Sequence, residues 1–209
     1  MVKEKSKTFR VESVTRNILS ELESEINSSN GRANLANIRN SINRPLTESI
    51  DLLPLLFRYL PEDFLSSDGK LSQEEKAIVT TIQLYALHQQ AESDSVLLSD
   101  DEEKWKNFGY SLSFLRKGED SLAADRRFNT MITSSTFEEL SHHMRQMIKL
   151  LKSKTDAKVN YPKLSGDLYK FLTGYGEEVK FSWASRYYFV KNEKEEGVEE
   201  NENLSLIHI

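Results

Sequence analysis

Residues 126–152, RRFNTMITSSTFEELSHHMRQMIKLLK, constrain the chain more than any other stretch. The second half predicts a single helix. Thr136 and Glu139 have the spacing of a capping box, in which each side chain satisfies an orphan backbone N–H of the first turn. Phe137, Leu140, Met144, Met147, Ile148 and Leu151 then recur at three- and four-residue steps, the spacing of an apolar stripe that needs a core. At ~100° per residue, His142, Arg145, Lys149 and Lys152 gather on a different face. Arg126 and Arg127 precede this helix, with Phe128 beside them. One element therefore carries a core ridge and a cationic ridge.

On a lone helix such a ridge is a solvated face, since cations near a C-terminus also suit the helix dipole. The wider window argues for more. Over 126–163, eight Lys and Arg stand against three Asp and Glu, a local charge of +5 in a 209-residue chain whose total is −5. Charge segregated in this way is the electrostatic footprint of a polyanion-binding surface.

Cysteine is absent, which excludes disulfides, zinc ribbons, thiol catalysis and iron–sulfur clusters. Charged residues make up 29% of the chain against only eight Gly and four Pro, a composition that favours helices. No apolar run approaches the ~18 residues of a membrane span, and MVKEKSKTFR lacks the apolar core of a signal peptide. A cytoplasmic protein without a membrane partner is expected. Catalysis needs a constellation, and none assembles: there is no Gly-rich phosphate loop, no His pair at metal spacing and no Ser-centred elbow. His142 and His143 are adjacent, so on a helix they diverge by ~100°. The acidic cluster 100–103 fits a helix N-terminus favoured by the dipole. The expectation is a protein that is not an enzyme and holds no metal or cofactor.

Along the chain, residues 1–8 suggest a frayed basic end. A helix is expected over 8–28, with Phe9, Val14, Ile18, Leu22 and Ile26 inward, and Ser28-Ser29-Asn30-Gly31 stopping it. A short helix over 33–42 would bury Leu35, Ile38 and Ile42 while Arg32, Arg39 and Arg44 face solvent. Residues 47–60 are apolar, with Pro54 expected to kink or split their helix and Pro61 to end it. Ser72 and Glu75 form a second capping box, opening a helix to about Gln90; its His88 is expected to pack or hydrogen-bond. The acidic, Ser-rich stretch 92–103 marks a boundary between two helical lobes, 1–100 and 101–190. A helix over 105–116 would turn Phe108, Leu112 and Leu115 inward and leave Arg116 and Lys117 exposed before a Gly118 cap. A helix over 121–131 follows. Pro162 sits at a first-turn position of the next helix, and Gly174 and Gly176 bracket a turn. The aromatic stretch 177–189 is read as helix rather than strand, because Val179, Trp183, Tyr187 and Val190 fit a period near four. Residues 191–209 form an acidic tail expected to be disordered. Its last six, LSLIHI, are what the mosaic end of a transposase-based sequencing adapter encodes, so the natural C-terminus is expected to lie elsewhere.

Five segments occur in a telling order. They are Gly31-Arg32-Ala33-x-Leu35-x-x-Ile38-Arg39, the Arg126-Arg127-Phe128 segment, a Leu-x-x-His-x-Arg helix spanning 140–151, YPKLSGDLYKFL, and a Trp-x-x-x-Tyr-Tyr close from Trp183 to Tyr188. In that order they resemble the CasB family, the small subunit of the type I-E CRISPR Cascade complex, over roughly 10–190. The resemblance implies an all-α protein with an N-terminal helical lobe and a C-terminal bundle. It also implies a non-catalytic role beside the backbone and large Cascade subunits and a second copy of itself, against CRISPR RNA and the target and non-target DNA strands. Arg32 and Arg39 match the family's basic N-terminal motif, and Arg126, Arg127 and Arg145 its C-terminal basic positions. Arg116, Lys149 and Lys152 join them from helical geometry. Asn40 stands where family members commonly carry a second arginine, and the acidic total is unusual for an independent nucleic-acid binder. Both imply weak affinity outside the complex.

Two other classes stay open. A helical transcription regulator would use 126–152 as a helix-turn-helix, yet His142, Arg145 and Lys149 lie late on their helix and not at its base-reading N-terminal end. A protein-only adaptor would leave the cations solvated.

Overall fold

Short polar side chains open five of the helices. Ser28, Ser72, Asn107, Thr136 and Asn160 accept hydrogen bonds from the backbone N–H of Gly31, Glu75, Tyr110, Glu139 and Lys163 respectively, each satisfying an orphan donor of a first turn. The computed structural model describes residues 2–44, 52–98, 105–116 and 121–189, and among these the protein is all-α. In order the helices are α1 (Val2–Ser24), α2 (Ser29–Asn40), α3 (Leu53–Tyr59), α4 (Gln73–His88), α5 (Phe108–Ser113), α6 (Ser121–Ile132), α7 (Phe137–Lys154), α8 (Tyr161–Lys170) and α9 (Gly176–Phe189). Extended pairing among the described residues is limited to an isolated parallel bridge between Leu97 and Val159.

Helix α8 organises the packing. Seated against α1 and α4, it buries its residues from Tyr161 to Tyr169 save Lys163. The predicted stripe of α7 is buried in full, Phe137 through Leu151, and meets α4 on one side and α6 on the other. Helices from both sides of the 92–98 connector contribute to one hydrophobic core. The Gln89 side chain pins that connector, donating to the carbonyls of Glu92 and Asp94 and accepting from the N–H of Val96.

Helix α9 lies on α5 and ends on α6. It turns Val179, Trp183 and Tyr187 inward, as its period requires, and the Trp183 indole N–H donates to Asp167 Oδ2 on α8 at 2.8 Å. Gly174, at φ 98°, redirects the chain between α8 and α9, a left-handed conformation open to glycine. Gly109 lets α5 approach α9 so closely that a Cβ there would sit 1.9 Å from the Trp183 carbonyl oxygen.

Several local expectations are corrected. Helix α1 starts at Val2, so the predicted fraying over 1–8 is not seen from Val2 onward, and it ends at Ser24. Phe9 is 64% exposed rather than inward, because Val11, Val14 and Ile18 define the buried stripe. Ser28 caps α2 instead of stopping α1, which places Gly31 inside α2 and buried. Pro54 occupies the first turn of α3, where its missing N–H costs nothing, so no kink follows. Ser72 and Glu75 complete their capping box. At α7 the Glu139 carboxylate instead accepts from the Ser135 N–H at 2.8 Å, one residue before the cap. The expectations for 45–51, the acidic cluster 100–103, Lys117 and Gly118, Val190 and the 191–209 tail lie outside the described residues.

Candidate functional site

Helix α7 presents cations on both of its flanks. Toward α6, a cavity of about 450 Å³ is lined by Arg127, Thr130, His143, Gln146, Met147, Lys149, Leu150 and Ser153. Arg127 also borders the adjoining depression, with Lys154. Arg126, Arg127 and Lys149 are exposed. The α6 residues are held there by their neighbours: Phe128 is fully buried and stacks face to face on Tyr187, with ring centroids 3.7 Å apart.

Toward α4 the cations are more enclosed. Arg145 is half-buried, and desolvation lowers its pKa. It lines a broad groove of about 860 Å³ together with Arg44, Lys76, Phe57 and Phe137. Lys152 is half-buried 3.9 Å from Glu92. Burial lowers its pKa; Glu92 opposes that shift, and the positive charge of Arg39 adds to it. Arg39 on α2 and Lys152 on α7, far apart in sequence, are therefore brought within electrostatic range.

Beneath Lys152 lies His88, 3% exposed, its Nδ1 2.9 Å from the Tyr161 hydroxyl. Burial, then the charge of Lys152, pushes the imidazole down to about 4. This histidine packs and hydrogen-bonds as the sequence suggests. Among the described residues, no group of three or more His, Asp or Glu is placed to hold a metal ion, and no helix is long and apolar enough to cross a membrane.

The predicted cations divide by their partners. Arg126, Arg127, Arg145 and Lys149 meet no carboxylate among the described residues. Arg32 is exposed and donates to the Asn27 carbonyl at 2.9 Å. Arg39, expected in solvent, is half-buried instead, donating to the Ala86 carbonyl at 3.4 Å. Arg116, expected to be exposed, is turned back into the protein: its Nε donates to Asp125 at 3.0 Å, and its guanidinium lies 4.9 Å from the Tyr188 ring centroid. Sequence reasoning left out His143 and Lys154, which line the α6 side. Their positions on α7 face α6, a signal that becomes readable once α6 is known to be the neighbour.

The profile of the family described as CRISPR-associated protein Cse2 matches residues 34–188. The fold is similar to the crystal structure of CasB from Thermobifida fusca, at 20% identity and a TM-score of 0.63, covering 87% of this chain and 97% of that one. CasB from M. ruber is similar at 20% identity and a TM-score of 0.55, covering 83% and 90%. A CRISPR-associated Cse2-family protein from Thermus thermophilus is similar at 20% identity and a TM-score of 0.57, covering 83% and 97%. No curated protein matches the chain.

Proposed function

The chain belongs to the CRISPR-associated Cse2 family, and from that premise we propose that it is the non-catalytic small subunit of a type I-E Cascade complex. In this reading it works in the cytoplasm beside the backbone and large subunits and a second copy of itself. It contacts the backbones of the RNA–DNA heteroduplex and of the displaced DNA strand, and so stabilises the R-loop. The observation that carries the reading is the set Arg126, Arg127, Arg145 and Lys149, four cations on adjacent helices with no carboxylate partner among the described residues.

The energetics favour such a role. R-loop formation exchanges one duplex for another of similar stability, so backbone contacts from protein can tip the balance. Lys and Arg reach phosphates without reading sequence, and their contribution falls with salt as counterions are released. An arginine already held by Asp125, as Arg116 is, has less to offer a phosphate. Arg126, Arg127, Arg145 and Lys149 therefore form the principal set, and Arg32 and Arg39 on α2 and Lys152 on α7, the last already beside Glu92, are secondary to it.

The test replaces Arg126, Arg127, Arg145 and Lys149 with Ala in the reconstituted complex. Permanganate footprinting of the displaced strand should show lost protection at equal subunit incorporation, with the same penalty on every target sequence. Unchanged protection with full incorporation would mean that the cations are only a solvated face.

A further inference from the structure

Helix α9 delivers the chain to the α6 side of this surface. The Tyr187 hydroxyl donates to Asp125 Oδ1 at 2.9 Å, and the Tyr188 hydroxyl donates to Asn129 Oδ1 at 2.8 Å. Arg126 and Arg127 lie between those two anchor points on α6. Residues 191–203 follow in the chain with six Glu and two Lys, a net charge of −4. An acidic segment thus follows a helix end that is anchored on α6, the helix that carries Arg126 and Arg127.

Length and charge both suit occupancy. The groove's lining on α7 runs from His143 to Ser153, ~15 Å at the helical rise. Thirteen residues can reach ~43 Å when extended, so the glutamates can pass Arg127 and Lys149 without strain. We propose that residues 191–203 are an intramolecular occupant of the α6–α7 groove, a tethered polyanion that competes with nucleic acid for Arg127 and Lys149, which line it, and for the exposed Arg126 next to Arg127 in the chain. The competition rests on reading that groove as a phosphate track.

The tether is what gives the segment its effect. Exposed ion pairs are individually weak, yet a short linker holds its partner at an effective concentration in the millimolar range. That suffices to discourage stray oligonucleotides. It yields to strands presented by an assembled complex, where neighbouring subunits hold the phosphates in place.

The experiment uses the full chain, whose lack of cysteine makes Asn201→Cys a unique site for a nitroxide label. Without nucleic acid, amide resonances around Arg127 and Lys149 should broaden selectively, recover at high salt, and recover when Glu193, Glu195, Glu196, Glu199, Glu200 and Glu202 are all changed to Gln. The same Gln variant should bind oligothymidylate about three- to tenfold tighter at low salt. That gain should vanish in an Arg126→Ala, Arg127→Ala, Lys149→Ala background. Absence of selective broadening, or a Gln-variant gain that persists in the alanine background, overturns the proposal. Broadening that rises with protein concentration assigns the groove to a second copy's tail and overturns the intramolecular contact. Persistent broadening in a chain that binds no oligothymidylate supports the contact, and the failure then belongs to the phosphate-track reading.

Discussion

On the α6 flank of α7, Arg127 and Lys149 stand exposed with no carboxylate partner among the described residues. On the α4 flank, Arg145 and Lys152 are half-buried, their pKa values lowered by desolvation, and Lys152 approaches Glu92. The same residue types thus occupy two physical settings. A solvated cation costs the fold little and is screened by salt. A half-buried one has already lost hydration and is tied to its surroundings, so its removal disturbs packing as well as charge. A basic residue becomes an interface residue or a structural one according to what packs beside it.

The largest expected effect would break the comparison by loosening the ground under the exposed flank. Phe128→Ala removes a fully buried ring and its stacking partner's support, a loss of about 3–5 kcal/mol for this kind of truncation. Urea unfolding should show a markedly lower midpoint, and the end of α9 should lose amide-exchange protection with α6.

Next comes the acid response of the buried flank. His88 has a folded-state pKa of about 4 against an ordinary 6.5. Between those values the unfolded chain binds a proton that the folded one refuses. Stability from this group is therefore complete above about pH 6.5 and declines as pH falls toward 4, by about 3 kcal/mol in all. Unfolding free energies at neutral pH and near pH 4.5 should reveal it, and His88→Gln should flatten that part of the acid limb. The groups facing His88 are the Tyr161 hydroxyl and the Lys152 ammonium, the latter beside Glu92. Lys152→Met should therefore raise the His88 titration midpoint, read by NMR.

The smallest effect on stability sharpens the contrast. Arg127→Ala with Lys149→Ala should change unfolding free energy within about 0.5 kcal/mol. The pair should nonetheless flatten the salt dependence of log K for single-stranded DNA by about 1.4, if each residue meets one phosphate. Equal stability losses from this pair and from Arg145→Ala with Lys152→Ala would erase the distinction between the flanks.

The helical architecture was legible wherever local chemistry and pattern agreed. The α7 stripe, the Ser72–Glu75 box, the proline at the start of α8 and the four-residue period of α9 each carry their own signal, and each appears in the fold. Errors arose where a tertiary neighbour decides. Phe9 fits a helical period but lies beyond the edge of the buried stripe. Arg116 looks free until Asp125 and Tyr188 fold back on it, and Arg39 looks solvated until the C-terminal end of α4 offers Ala86. For the candidate site, helical geometry grouped Arg145, Lys149 and Lys152 on one face. It could not divide them between two flanks, because that division depends on which helices pack against α7.

The contact at Gly109 sets a limit on how this sequence can drift. A methyl group there would overlap the Trp183 carbonyl, and backbone cannot swing aside as a long side chain can. Any larger residue must push α9 away from α5, and with it the Tyr187 ring that rests on Phe128. In a saturation library scored for folding, position 109 should accept almost nothing but glycine, while Arg126 and Arg127, exposed at the far end of the same lever, tolerate many replacements. The placement of the cations would then be inherited through a residue that carries no charge and no side chain at all.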